Sequence, residues 1–192
     1  MNDSLNNIYR VDNLFSAEDL QIINESIKSI YEKHQYDIEL GRLKLELNNL
    51  PISIERKIEA VAESFEGKVF KTSNVTYVEY SNKYGQPNLP THFDGDQNNL
   101  VFDYQLESST SWDIGINTEL YQLKDNSSVI FNANENIHWR PIKDFKDGEY
   151  IKMIFFRVYD VDNKPNYLHL DYTIDDQIFK EINNLRDSMA QK

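Results

Sequence analysis

Residues 68–80 read KVFKTSNVTYVEY, and at this stretch the periodicity of the chain changes. Before Gly67 apolar residues recur every three or four positions. From Lys68 onward they alternate with polar ones, the repeat of a strand with one buried face. Lys68–Thr72 and Val75–Tyr80 therefore read as strands. Further β-rich runs follow at about 99–106, 111–116, 118–124, 128–132, 136–140 and 149–160, each bounded by turn residues, and Tyr167–Thr173 reads as one more. Upstream, Ser16 with Glu18 and Asp19 behind it reads as the N-cap of a helix over 16–34, with Leu20, Ile23, Ile27, Ile30 and Tyr31 on one face. Asn48-Asn49-Leu50-Pro51 breaks the chain, and Ile54, Ile58, Val61 and Phe65 space a second helix over about 52–65. A last helix starts near Asp175 or Asp176, carried by Ile178, Ile182 and Leu185. Helices, then many short strands, then a helix is the order of an α+β chain with an antiparallel sandwich or jelly roll. One domain is expected: a helical part at about 1–66, a strand core at about 68–173 and a C-terminal helix at about 175–190.

The chain of 192 residues is long enough to bury a real core, and 40% hydrophobic with 12% aromatic residues argues for a globule. Its formal charge of -12 makes a surface that repels phosphate backbones and anionic headgroups, so neither nucleic acid nor membrane is an expected partner. With no cysteine, disulfides, zinc fingers, thiol catalysis and iron–sulfur clusters are excluded. The opening MNDSLNNIYRVDN shows no basic segment followed by an apolar run, and no window reaches membrane-spanning length, so a cytoplasmic location is expected. No internal repeat, low-complexity segment or linker stands out, and nothing in the pattern selects an oligomeric state.

Four histidines are present: His34, His92, His138 and His169. His34 falls at the end of the first helix, where a solvated or capping role is expected. His92 lies in THFDGD, residues 91–96, two positions before Asp94. Residues two apart on a strand point to the same side, so one strand end could supply both side chains to a metal. His138, in a strand-like Ile137-His138-Trp139, is far enough downstream for several strands to intervene. Two imidazoles and a carboxylate on one face leave positions open on iron(II). The spacing is cheap in a chain with 32 acidic residues, and His169-Leu170-Asp171 repeats it. No histidine follows that second copy, and an ordinary structural role is expected for His169. Asp96 reads as a turn residue, and Trp112 and Trp139 as core.

The neighbours of His92 add a resemblance. VTYVEY, the loop SNKYGQPNLP running into LPTHFD, then VFDYQLES, SVIFNANENIHWRP and EYIKMIFFRVYD follow the order found in the 2-oxoglutarate/Fe(II)-dependent dioxygenases, especially small prolyl-4-hydroxylase-like members. IYRVDNLFSAEDLQIINESI also looks like the family's opening strand and first helix. The resemblance implies a double-stranded β-helix of the jelly-roll or cupin type, with the N-terminal helices packed on one sheet. It implies Fe(II) held by His92, Asp94 and His138, with 2-oxoglutarate and O2 as co-substrates and succinate and CO2 as products. The retained carboxylate at 94 favours hydroxylation over halogenation. The substrate class implied is an amino acid, a peptide or protein residue, or a small metabolite, with SNKYGQPNLP and the helical part as the places for selectivity. Tyr80 falls where the family often has a tyrosine on 2-oxoglutarate. The far carboxylate of that molecule needs a cation. Arg157 and Lys152 lie on EYIKMIFFRVYD with opposite parity, and Arg140 shares a face with His138. Arg157 is the expected partner, because a buried bidentate contact favours guanidinium. Gln105, on one face with Asp103, is a further candidate contact. Two other classes fit the pattern: a non-catalytic jelly-roll binding protein, and a cupin-type metalloenzyme drawing an extra ligand from Glu107 or Glu119.

Overall fold

The computed structural model describes residues 7–94, 100–162 and 176–189. The chain opens with strand β1 (Tyr9–Asp12) and helix α1 (Ala17–Ile30), which a short 3-10 turn at Tyr31–Lys33 extends. Ser16 caps α1 as its sequence predicts: its hydroxyl accepts from the Asp19 amide at 3.2 Å, and the Asp19 carboxylate accepts from the Ser16 amide at 2.9 Å. A hairpin follows, β2 (Gln35–Asp37) and β3 (Arg42–Glu46), and then helix α2 (Ile52–Glu66), ended by Gly67 in the left-handed region at φ 66°. The strand block comprises β4 (Phe70–Tyr80), β5 (Leu100–Ser108), β6 (Ile114–Ile116), β7 (Glu119–Tyr121), β8 (Ser127–Phe131), β9 (His138–Trp139) and β10 (Ile151–Asp160). Helix α3 (Asp176–Ser188) closes the described chain. The strand expected at Tyr167–Thr173, with His169 and Asp171, and Asp96 of the opening motif all lie outside the described residues.

Two antiparallel sheets result, one ordered β1-β8-β5-β10-β4-β3-β2 and the other β7-β6-β9. This is the α+β arrangement expected from the strand pattern, and the double-stranded β-helix that the family resemblance implies. On one face of the large sheet Leu43, Leu45, Phe102, Tyr104, Ile154 and Phe156 pack with Phe15, Ile23 and Ile27 of the α1 region and Ile54, Ile58 and Ala62 of α2. On its other face Val78, Tyr80, Val101, Val129, Phe131, Ile151 and Met153 meet Trp112, Ile114 and Ile116 from the small-sheet side. Each fully buried Val, Leu, Ile, Phe or Met among them contributes about 1.5–3 kcal/mol. Trp139 is fully buried with Ile137 and Ile182, so α3 lies on the small sheet.

Two differences from the sequence reading have physical causes. The two runs expected within residues 68–80 form one strand, Phe70–Tyr80. The pairing skips Ser73, with Arg157 opposite Asn74 and Val158 opposite Thr72, so a bulge interrupts the alternation. The β2–β3 hairpin was not expected at all, because it lies between two helices and is short. Its signal was nonetheless present in RLKLE, where Leu43 and Leu45 are buried and the charged residues between them are not. The hairpin is anchored at Gly41, whose φ of +58° and close approach admit no side chain; a Cβ there would lie 2.4 Å from the Gln86–Pro87 backbone. Ser81 and Asn88 amides bond the Gly41 and Leu40 carbonyls at 3.3 and 3.2 Å. The hairpin thereby fixes the loop at 81–90 that leads to His92.

Candidate metal centre

His92 and His138 are brought together by backbone. Each donates its amide to the other's carbonyl, at 3.1 and 2.9 Å, an isolated antiparallel bridge that extends the small sheet past β9. Directly opposed residues of such a pair project side by side, and the two imidazole centroids are 4.0 Å apart. Asp94 follows on the same side, held by its amide to the Ala133 carbonyl at 3.0 Å. Its Oδ1 lies 3.7 Å from His92 Nε2 and 3.5 Å from His138 Nε2. One ligand atom from each residue falls within 4.8 Å of the others, a spacing that can hold one metal ion.

The electronic state of the three side chains suits that role. Nδ1 of His92 is 2.8 Å from the Pro90 carbonyl and Nδ1 of His138 is 3.2 Å from the Asn136 carbonyl. A carbonyl only accepts, so Nδ1 carries the proton in both rings and Nε2 offers its lone pair to the centre. Burial, and then the neighbouring His138, push the His92 imidazole down to about 4, so it is neutral near pH 7. Burial alone would raise Asp94, but the neighbouring His138 and the Arg157 guanidinium outweigh it and hold it below the usual carboxylate value.

The centre opens onto a cavity of about 100 Å³ lined by Leu40, Arg42, Leu89, Val101, Asp103, Phe131, Phe155 and Arg157 as well as the three side chains. Arg157 stands beside Asp94, Nη2 to Oδ2 3.8 Å, and its Nη1 donates to Asn74 Oδ1 and Thr76 Oγ1 at 3.3 Å each. Of the three cations weighed from the sequence, only Arg157 lines this space. Lys152 is turned to the opposite face, where its Nζ donates to Glu107 Oε2 at 2.8 Å and lies 4.8 Å from the Tyr150 ring centroid. Arg140 is fully buried behind the cavity wall, donating to Asp103 Oδ1 at 3.2 Å and to the Trp112 carbonyl. Burial raises the Asp103 carboxyl despite that guanidinium. Gln105, on the same strand as Asp103, lines a different pocket and donates to Ser108 Oγ and Asp125 Oδ1 at 3.1 and 3.0 Å, so it does not meet the centre. Tyr80 is fully buried with its ring edge-on to Trp112 and reaches the cavity only through Arg42, whose Nη1 donates to the phenol at 3.1 Å.

Arg42 is the residue that the sequence reading missed. It lies on β3, opposite Tyr80 in the ladder, and no motif marks it. Neither glutamate weighed as an extra metal ligand joins the centre: Glu107 is taken by Lys152 and Tyr150, and Glu119 by the Tyr121 hydroxyl at 2.7 Å. His34 makes the capping contact expected of it, Nδ1 to the Tyr31 carbonyl at 2.7 Å.

No family model and no curated protein matches the sequence. Solved structures do match its fold. The viral collagen prolyl hydroxylase vCPH from Paramecium Bursaria Chlorella virus-1 aligns over 80% of this chain and 96% of its own, at 13% identity and a TM-score of 0.57. The chain has the fold of the 2-oxoglutarate/Fe(II) oxygenases. The α-ketoglutarate-dependent carbocyclase SnoK from nogalamycin biosynthesis aligns over 81% of this chain and 80% of its own, at 9% identity and a TM-score of 0.66. A prolyl-4-hydroxylase from Pseudomonas putida covers 80% and 94%, at 9% identity and 0.57. At such identities the shared property is the double-stranded β-helix itself. Among the described residues no helix is long and apolar enough to cross a membrane.

Proposed function

We propose that this chain is an Fe(II)- and 2-oxoglutarate-dependent oxygenase that hydroxylates an unactivated C–H bond of an amino acid, a peptide segment or a small metabolite. The observation that carries this reading is the convergence of His92 Nε2, His138 Nε2 and an Asp94 oxygen at one end of the β-helix cavity. The donor set fits iron(II), since two imidazole nitrogens and one carboxylate oxygen occupy one face and leave the other for exchangeable ligands. Iron(II) and 2-oxoglutarate, when bound, supply the oxidising power, consuming O2 and releasing succinate and CO2.

The chain's own residues hold and orient. The Pro90 and Asn136 carbonyls fix both tautomers, and Arg157 offers a guanidinium for the far carboxylate of the keto acid. Leu40, Leu89, Val101, Phe131 and Phe155 keep the cavity walls apolar and limit bulk water around the reacting bond. A neighbour of the same fold was solved with a peptide fragment of hypoxia inducible factor, which keeps a peptide among the substrates to be tested.

Purified protein with Fe(II) and 2-oxoglutarate under air is expected to release succinate. Asp94→Ala is expected to lower the rate at least 100-fold, equivalent to about 2.7 kcal/mol of transition-state stabilisation. Undiminished succinate release by that variant would overturn the assignment.

A further inference from the structure

The oxygenase reading leaves one cation of the cavity without a task. 2-Oxoglutarate has two carboxylates; one end faces the metal and the other takes a single guanidinium. Two guanidiniums line this cavity, Arg157 beside Asp94 and Arg42 entering from β3. In a chain with 32 acidic and 20 basic side chains, two arginines share this one cavity.

Arg42 is also held still. Its Nε donates to Asp37 Oδ2 at 2.9 Å and its Nη1 to the Tyr80 hydroxyl at 3.1 Å, which fixes the plane of the fork and leaves further N–H groups for another acceptor. Its side chain is 17% exposed, whereas Asp37 is 30% exposed. Water therefore screens the partner's charge more than the guanidinium's own. Leu40 and Leu89 stand beside it in the cavity lining. A charge-assisted bond made in such surroundings is stronger than one made in water. The geometry is that of an anchor placed to one side of a reaction centre, and its fork matches a carboxylate.

We propose that Arg42 binds a carboxylate of the primary substrate, so that the substrate is a small organic acid, amino acids included. This rests on the oxygenase reading, in which Arg157 serves the keto acid. Leu40 of the hairpin and Leu89 of the loop at 81–90 line the same cavity as the Arg42 guanidinium. The β2–β3 hairpin is then the part of the fold that reads the substrate. Its anchoring at Gly41 holds Arg42 at a constant distance from the ligand segment.

The test uses full-length protein loaded with Mn(II) and 2-oxoglutarate and titrated calorimetrically. The probes are the protein amino acids, short straight-chain monocarboxylic acids, and the primary amide of each. At least one acid is expected to bind about 10-fold or more tighter than its amide, the ratio a charge-assisted bond confers. Arg42→Gln is expected to abolish that ratio and Arg42→Lys to keep part of it. Acid and amide binding equally, no acid binding at all, or an intact ratio in Arg42→Gln would each overturn the proposal. A separate arm reads the visible absorption of the anaerobic Fe(II) protein on addition of 2-oxoglutarate. With that band present and no acid preference, the assignment of Arg42 fails alone. With no band, the oxygenase reading fails, and this proposal with it.

Discussion

The burial that keeps His92 neutral also makes the metal-free protein sensitive to acid. Its imidazole is pushed from 6.5 down to about 4 in the fold. Between those values the unfolded chain binds the proton more readily, so stability is full above pH 6.5 and declines as pH falls toward 4. The full effect would be about 3.5 kcal/mol at about 1.4 kcal/mol per pH unit. The side chain is 35% exposed, so screening reduces this to roughly half. Asp94, held below its usual value, acts in the same direction at lower pH. The melting temperature of EDTA-treated protein is expected to drop between pH 6.5 and 4, and His92→Gln to flatten that slope. An unaltered slope in the variant would place the titrating group elsewhere. All three ligand candidates were legible in the sequence, because the chemistry of a site is written in residue types. Spacing alone gave His169 and Asp171 equal standing with His92 and Asp94; only the surrounding strand order separated them.

At the scale of elements, α3 is attached to both segments that carry the centre. Thr91 Oγ1 donates to Asn183 Oδ1 at 2.6 Å, and Phe179 lies against Phe93 at 6.1 Å. Arg186 donates to the Arg140 carbonyl at 3.0 Å and to the Asn88 side chain, so one guanidinium ties the residue just past β9 to the loop before His92. Groups that orient metal ligands from behind affect affinity by about 10–100-fold. Arg186→Gln is expected to weaken Co(II) binding about 10-fold and to alter its visible spectrum, with Arg186→Lys recovering part of both. If melting temperature alone moves while affinity and spectrum do not, α3 only covers Ile137 and Trp139. The helices and most strands were legible because their periods are long or strongly alternating. The β2–β3 hairpin was not, since three- and five-residue strands between helices give too few repeats to count. Arg42 was lost with it. Lys152 and Arg157 could not be separated for a different reason: both faces of β10 are apolar, one against α2 and the other around the cavity.

For the molecule as a whole, the two large cores consist of apolar side chains that pack without a metal. The one between the sheets meets the centre at the cavity wall, where the Phe131 ring lies 5.2 Å from that of His138. Metal removal is therefore expected to leave the fold intact. Co(II) at 100 times its dissociation constant adds about 2.7 kcal/mol by mass action. At about 2–4 °C per kcal/mol for a chain of this size, the melting temperature should rise by roughly 5–10 °C. EDTA should reverse that gain with the far-ultraviolet circular dichroism unchanged. Loss of that signal on chelation would mean that the cores do not suffice.

The reciprocal backbone bridge between His92 and His138 has a consequence for how such a centre persists. The gap between the two imidazoles is a rung of a ladder, set by peptide geometry common to all residues. Side chains around the cavity can be exchanged freely without retuning that gap. A centre so constructed has its histidine spacing set by two peptide hydrogen bonds, so substitutions in the walls reshape the cavity and leave the spacing as it is.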